Sequence, residues 1–258
     1  MKIRVLLSVL VVPLLSACIA APPEIPLHEI PAGPLAQALE QRRRSFTGMK
    51  AVARVETEHK GRKRSYESVA ILQRRFEKLR VEGHGPMGES VFALVWDGLD
   101  VMVRKAGESE PVKVGQFGLE RIIGVSVSPA DLCAVLSGNI PRVPDNAETS
   151  VRCSDAGWCV MEVHRDDMRL RVKVLMPAAS VSGDTIRIDR IESFERDHLV
   201  FDSVYTYPHD DKSARFPTTI TLANPERRAA LTVYYEDVEA NIVVEDSAFV
   251  LDGEGGAL

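Results

Sequence analysis

Residues 168–175 read Met-Arg-Leu-Arg-Val-Lys-Val-Leu, so that Arg169, Arg171 and Lys173 alternate with Leu170, Val172 and Val174. A period of two places the cations on one face of an extended strand and the aliphatic side chains on the other. Strands with one wet and one covered face belong to antiparallel sheets, whereas the strands of doubly wound parallel sheets are apolar on both faces. The pattern starts early in the chain, where Ala51, Ala53 and Val55 alternate with Val52, Arg54 and Glu56. Turn residues at Lys60-Gly61-Arg62-Lys63 and Asp97-Gly98 separate further runs. Strands are predicted over residues 66–73, 76–81, 91–96, 101–104, 158–164, 168–175, 185–191, 199–205, 218–223 and 230–235.

Helices interrupt the meander in three places. Pro34 opens one in which Leu35, Leu39 and Phe46 recur at helical spacing, Arg42, Arg43 and Arg44 favour its C-terminal dipole, and Gly48 ends it. Leu119, Ile122 and Ile123 suit a short turn of helix. Ser128-Pro129-Ala130-Asp131 is a strong helix start, with serine as N-cap and proline at the first helical position, and Gly138 is its expected C-terminal stop. The glycine-rich end, 252–258, is expected to be a disordered tail.

The first residues carry a different signal. Lys2 and Arg4 precede a short apolar run from Val5 to Leu15, too short to cross a bilayer comfortably, and small residues close it. Leu15-Ser16-Ala17-Cys18 resembles the lipobox of bacterial lipoproteins. That resemblance implies that residues 1–17 are a signal peptide, that Cys18 carries the only covalently bound group, an acyl modification such as palmitate, and that the domain is anchored in a membrane. Ile19 after the cysteine, rather than aspartate, favours the outer membrane by the same resemblance. Residues 18–33 contain Pro22, Pro23, Pro26 and Pro31 and are predicted to form an extended tether reaching about 40 Å. The folded domain is then expected over 34–251.

Composition narrows the function classes. The net charge is −5, and removal of Lys2 and Arg4 makes it more negative, which argues against nucleic acid as a partner. Cys153 and Cys159 flank a turn-rich interval and are predicted to form a disulfide in an oxidising compartment, leaving Cys133 as a buried structural thiol. No glycine-rich phosphate loop, His-Glu-x-x-His or Gly-x-Ser-x-Gly occurs. The histidines at 28, 59, 84, 164, 198 and 209 are scattered, and His209-Asp210-Asp211 lacks a spaced further ligand, so no metal site is predicted. Asp166-Asp167 and Glu236-Asp237 fall where turns or wet strand faces are expected, and no catalytic residue is assigned.

The order of a helix, a long antiparallel meander, a capped central helix and further strands resembles the LolA/LolB-like family of lipoprotein carriers and outer-membrane receptors. Gly85-Pro86-Met87-Gly88 is similar to the family's protruding Pro-Leu-Gly loop. Residues 128–141, Ser-Pro-Ala-Asp-Leu-Cys-Ala-Val-Leu-Ser-Gly-Asn-Ile-Pro, resemble its helix ending in Leu, Gly and Pro, and residues 216–222 with 231–235 resemble its closing strand pair. The chain departs from the family in having Ala134, Val135 and Leu136 where a tryptophan is often found, and in a longer, more charged second half.

The resemblance implies a mostly β (α+β) fold, a curved antiparallel sheet forming an incomplete β-barrel with covering helices. It also implies a hollow that holds lipoprotein acyl chains or another envelope lipid, delivery to the outer membrane, and a periplasmic carrier protein as partner. Met87, with Pro86 and Gly88, takes the place of the membrane-transfer loop. Alternation assigns Val91, Ala93, Val95, Leu170, Val172 and Val174 to the cavity lining. Three other classes stay open: a docking module whose interior is filled by its own side chains, a sensor of lipid or mislocalised lipoprotein, and an envelope enzyme with a converging buried polar site.

Overall fold

The computed structural model describes residues 26–108, 110–115, 118–176, 186–209 and 216–251. The predicted signal peptide, Cys18 and the expected tail at 252–258 lie outside the described residues. Fourteen strands are described: β1 (His28–Ile30), β2 (Gly48–His59), β3 (Arg62–Arg74), β4 (Lys78–His84), β5 (Ser90–Trp96), β6 (Val101–Lys105), β7 (Val112–Lys113), β8 (Glu148–Cys153), β9 (Trp158–Arg165), β10 (Met168–Leu175), β11 (Arg187–Glu195), β12 (His198–Thr206), β13 (Thr219–Asn224) and β14 (Ala229–Ala240). The helices are α1 (Ala32–Ser45), α2 (Leu119–Ile123) and α3 (Pro129–Leu136). None of them is long and apolar enough to cross a membrane.

All strands join one sheet in the order β1-β8-β9-β10-β11-β12-β13-β14-β2-β3-β4-β5-β6-β7, and every pairing is antiparallel. The sheet is curved and does not close. Its two edges, β1 and β7, are only three and two residues long, so little unpaired backbone is offered for edge-to-edge association. The expected mostly β architecture with an incomplete barrel is therefore the observed one. Several boundaries differ: His28–Ile30, placed in the tether by its prolines, pairs with Val151–Cys153 as β1, α1 runs from Ala32 to Ser45 rather than from Pro34 to Gly48, and β8 lies outside the predicted strands. A three-residue strand has too few positions to show alternation.

The concave face holds the main core. Across β9, β10 and β11 its inner layers are built from register partners, Met161 beside Val172 and Ile191, and Cys159 beside Val174. The outward positions of these strands carry ion pairs, Arg171 with Glu162 at 2.8 Å, Lys173 with Asp189 at 2.9 Å, and a two-pronged Arg190–Asp202 pair at 2.7 and 2.8 Å. Exposed pairs of this kind add about 0–1 kcal/mol each, so the charged second half keeps one face wet without carrying the fold. Cys153 and Cys159 are register partners of β8 and β9 and are disulfide-bonded.

The α3 helix lies inside the curve with Leu132, Cys133, Ala134, Val135 and Leu136 all buried. Ser128 Oγ accepts from the Asp131 N–H at 3.0 Å, the N-cap that its position predicts. At the other end Gly138 takes φ +64° and the N–H groups of Gly138 and Asn139 donate to the carbonyls of Val135 and Ala134, a Schellman ending. Three more side chains take carbonyls at this end. Gln73 Nε2 donates to Cys133 O at 3.0 Å, Tyr235 OH to Leu136 O at 2.7 Å, and Arg42 Nη2 to Gly138 O at 3.0 Å. Arg42 also donates to Ile186 O at 2.8 Å, so the first residue of the arginine run is a strut between α1, α3 and the strand side.

Beyond β14 the chain crosses the convex face. Val244, Phe249 and Leu251 pack on Leu72, Ala93 and Val95 there, forming a second, smaller core. Beneath this segment the buried pair Arg80–Glu82 closes at 2.7 Å, and Arg80 Nη1 donates to Ala248 O and Val250 O at 3.1 and 3.3 Å. Burial raises the Glu82 carboxyl, but the hydrogen bonds from Arg80 and Ser90 outweigh it and its pKa falls below the ordinary 4.5. A depressed carboxyl stabilises the fold above its unfolded pKa, and that contribution is lost as pH falls through the lower folded value. Glu82→Gln is therefore expected to flatten the loss of thermal stability below pH 4.5, read from melting midpoints across an acid titration. Replacing Cys153 and Cys159 by alanine opens a short loop and is expected to cost about 2 kcal/mol by urea denaturation.

Candidate functional site

The inner face of β2–β6 does not fill completely. Between it and the helices α2 and α3 lies a cavity of about 480 Å³, within the usual size of small-molecule sites. Phe92 and Leu94 of β5, Val103 of β6 and Leu231 of β14 line the sheet side, and Leu119 with Leu132 the helix side. Gly83 on β4 is required by this wall: a Cβ there would lie 2.2 Å from the Phe92 ring, which packs across it and meets Tyr66 edge-on at 4.8 Å. The mouth is polar. Arg64, Lys105 and Arg121 stand there beside Val91, Ala106 and Ile122.

A second cleft of about 520 Å³ opens on the other side of α2 and is lined by Asp131, Asp166, Asp167 and Glu195 together with Phe194 and Phe201. Glu120 of α2 faces this cleft while its neighbour Arg121 faces the first. The Asp166-Asp167 pair occupies the β9–β10 turn, where Asp167 is held by Arg196 at 2.9 Å. Glu236 is the extra residue at an irregularity in the β14–β2 register, between Tyr235 and Asp237, and both acids are exposed. Among the described residues no group of three or more His, Cys, Asp or Glu is placed to hold a metal ion, and Asp210 and Asp211 lie outside them. Burial, with a smaller push from Asp131, raises the Cys133 thiol well above its ordinary range and keeps it protonated in the core.

The sequence-predicted lining divides three ways. Val91 lines the cavity, at its mouth. Leu170, Val172 and Val174 point to the concave side as expected, but they are packed among Val163, Met161 and Cys159, away from the cavity. Ala93 and Val95 are a correction: they face the convex side, under Val244 and Phe249, while Phe92, Leu94 and Trp96 face in. The physical reason is that β5 is apolar on both faces, because a later segment covers the outer one, so alternation carries no direction there. The apolar residues Val244, Phe249 and Leu251, outside any predicted strand, were the available sign that a second face needed covering.

The loop Gly85-Pro86-Met87-Gly88 is the tip of the β4–β5 hairpin. Gly88 N–H donates to Gly85 O at 2.9 Å, Pro86 takes the position where its fixed φ suits the turn, and Gly88 follows with φ +83°. The Glu89 carboxylate accepts from the Met87 N–H at 3.0 Å, which leaves the Met87 side chain 92% exposed at the apex. Pairing directions place this tip, the β2–β3 turn and the cavity mouth at one end of the sheet.

No protein-family model matches the chain, and no curated protein matches it by sequence. Solved structures do share its shape. A LolA superfamily protein from Nitrosomonas europaea superposes with a TM-score of 0.50 at 13% identity, over 86% of this chain and 98% of that one. A DUF1329 family protein from Desulfovibrio piger superposes with a TM-score of 0.53 at 12% identity, over 85% of this chain and 97% of that one.

The two faces of β5 make separate predictions. Leu94→Arg is expected to abolish uptake of an apolar fluorophore by the cavity. Val95→Ala is expected to leave uptake intact and to lower stability by about 1 kcal/mol, measured by urea denaturation. Nearly the whole length of both solved relatives is matched at low identity, and the likeness therefore concerns the fold: this chain has a LolA/LolB-like fold, an open, curved antiparallel sheet with helices on its concave side.

Proposed function

We propose that this chain is a lipid-anchored envelope protein that shelters acyl chains, of lipoproteins or of another envelope lipid, and delivers them to the outer membrane. The observation that carries the reading is the apolar cavity of about 480 Å³ between β2–β6 and the two inner helices. Acyl chains entering such a space gain about 0.8 kcal/mol for each methylene withdrawn from water, and release needs only a competing apolar phase. The mechanism is burial, with no covalent step.

Met87 supplies the delivery end. An unbranched apolar side chain held at the apex of a hairpin is exposed at a cost that contact with a bilayer offsets. It stands at the cavity-mouth end, so a chain leaving the cavity emerges beside the membrane contact. Acylation at Cys18 would keep the domain at that surface, since two or more chains anchor stably where one does not. A periplasmic carrier protein is the donor this arrangement calls for.

The docking-module alternative has one observation in its favour: the middle of the concave side of β9–β11 is packed by the chain's own side chains, with Val172, Val174, Ile188 and Ile191 wholly buried. Native mass spectrometry of the purified full chain separates the two. A co-purifying acyl species that is lost in Leu94→Arg is expected, and a clean apo mass that takes up no added lipid would favour docking instead. Met87→Asp is expected to leave uptake unchanged and to slow transfer to liposomes severalfold, followed with a fluorescent acyl donor.

A further inference from the structure

Two inward rows of apolar side chains turn cationic at the same end of the sheet. On β6 the inward positions run Val101, Val103, Lys105. On β3 they run Ile71 and Val69 and then, past an irregularity in the β2–β3 register, Tyr66 and Arg64. A row that needed only to end in water would close on any polar residue, yet both close on a cation where the cavity opens. Arg121 of α2 brings a third from the facing wall.

These three charges are not neutralised at the mouth. No carboxylate lines the cavity, and among the described residues none of the three is ion-paired. The nearby acids are engaged otherwise: Glu108 accepts from the backbone N–H of Lys105 at 3.2 Å, and Glu120 is paired with Arg227. Long basic side chains lay their methylene stems along an apolar wall and keep the charged head at its water edge, which is the arrangement a tail-and-head ligand requires. Guanidinium groups add forked hydrogen bonding to carboxylate or phosphate oxygens.

We infer that the cavity takes an acyl amphiphile with an anionic head, the tail against Phe92, Leu94 and Leu231 and the head held by Arg64, Lys105 and Arg121. The inference rests on the acyl-binding reading above and adds the charge of the ligand. Carboxylate and phosphate heads share the chemistry that the rim recognises.

The test is displacement of the neutral fluorophore N-phenyl-naphthylamine from the full chain by three single-chain ligands of equal tail length: monopalmitin, palmitate and palmitoyl lysophosphatidylglycerol. At low salt at least one anion is expected to bind about tenfold or more tightly than monopalmitin, by analogy with other charge-assisted contacts, and the preference is expected to shrink as salt rises. The tighter anion identifies the head as carboxylate or phosphate. In the triple variant Arg64→Gln, Lys105→Gln, Arg121→Gln the preference disappears while monopalmitin affinity is retained, which also reports that the variant is folded. Equal affinity for all three ligands, or an anion preference that survives the triple variant, overturns the inference and leaves the acyl cavity standing. Failure of every ligand to displace the fluorophore overturns the acyl-binding reading itself.

Discussion

The structure depends on one short helix being held inside an open sheet. A curved sheet that does not close exposes its concave apolar face unless something covers it, and α3 does so with five consecutive buried residues. Burying a helix end strands its last carbonyl groups, each of which costs free energy if left without a donor. Here Gln73 and Tyr235 reach two of those carbonyls, the Schellman ending at Gly138 takes two more, and Arg42 holds the Gly138 carbonyl just past the helix. The same contacts that satisfy the helix fix how far it stands from β2–β6. That spacing is the cavity.

The convex face obeys a parallel logic with different means. The segment after β14 covers β4 and β5 with a few apolar side chains, and the charges left beneath it are matched, Arg80 by Glu82 and by two backbone carbonyls. A buried ion pair of this sort is weak as a source of stability but costly to break, so it specifies where the segment lies. Exposed ion pairs on β9–β12 do less for stability and more for keeping that face in water. Division of labour between the halves follows: β9–β12 pack solidly along the middle of their inner side and leave an acidic cleft at the β9–β10 turn end, whereas β2–β6 with α2 and α3 leave an apolar space.

Much of this was legible in the chain. Residues 168–175 show which face of β10 is covered, and the structure keeps both the face and the strand limits. Ser128, Pro129 and Gly138 mark α3 at both ends because capping is local chemistry. The disulfide partners are adjacent in register across a short turn, another local matter. Assignment of β5 failed for the opposite reason. Its two faces are both apolar, and which one faces the hollow is decided by Phe249 and Leu251, more than 150 residues later in the chain. The strand β1 is too short to show a period and exists only because β8 offers it an edge.

By itself the sequence determined the class of fold, an antiparallel sheet with one wet face, the capped inner helix and the Gly-Pro-Met-Gly apex that exposes Met87. Each of these follows from interactions within a few residues, where spacing and side-chain type suffice. Only the tertiary structure decided that the middle of β9–β12 packs solidly, with a cleft left at its β9–β10 turn end, that the space at β2–β6 is apolar, and that Arg64, Lys105 and Arg121 meet at one opening. Those facts depend on sheet curvature, register irregularities and the distance at which α3 is pinned, quantities set by contacts between elements far apart in the chain. Alternation along a strand tells which residues share a face; what stands opposite that face is a property of the assembled fold.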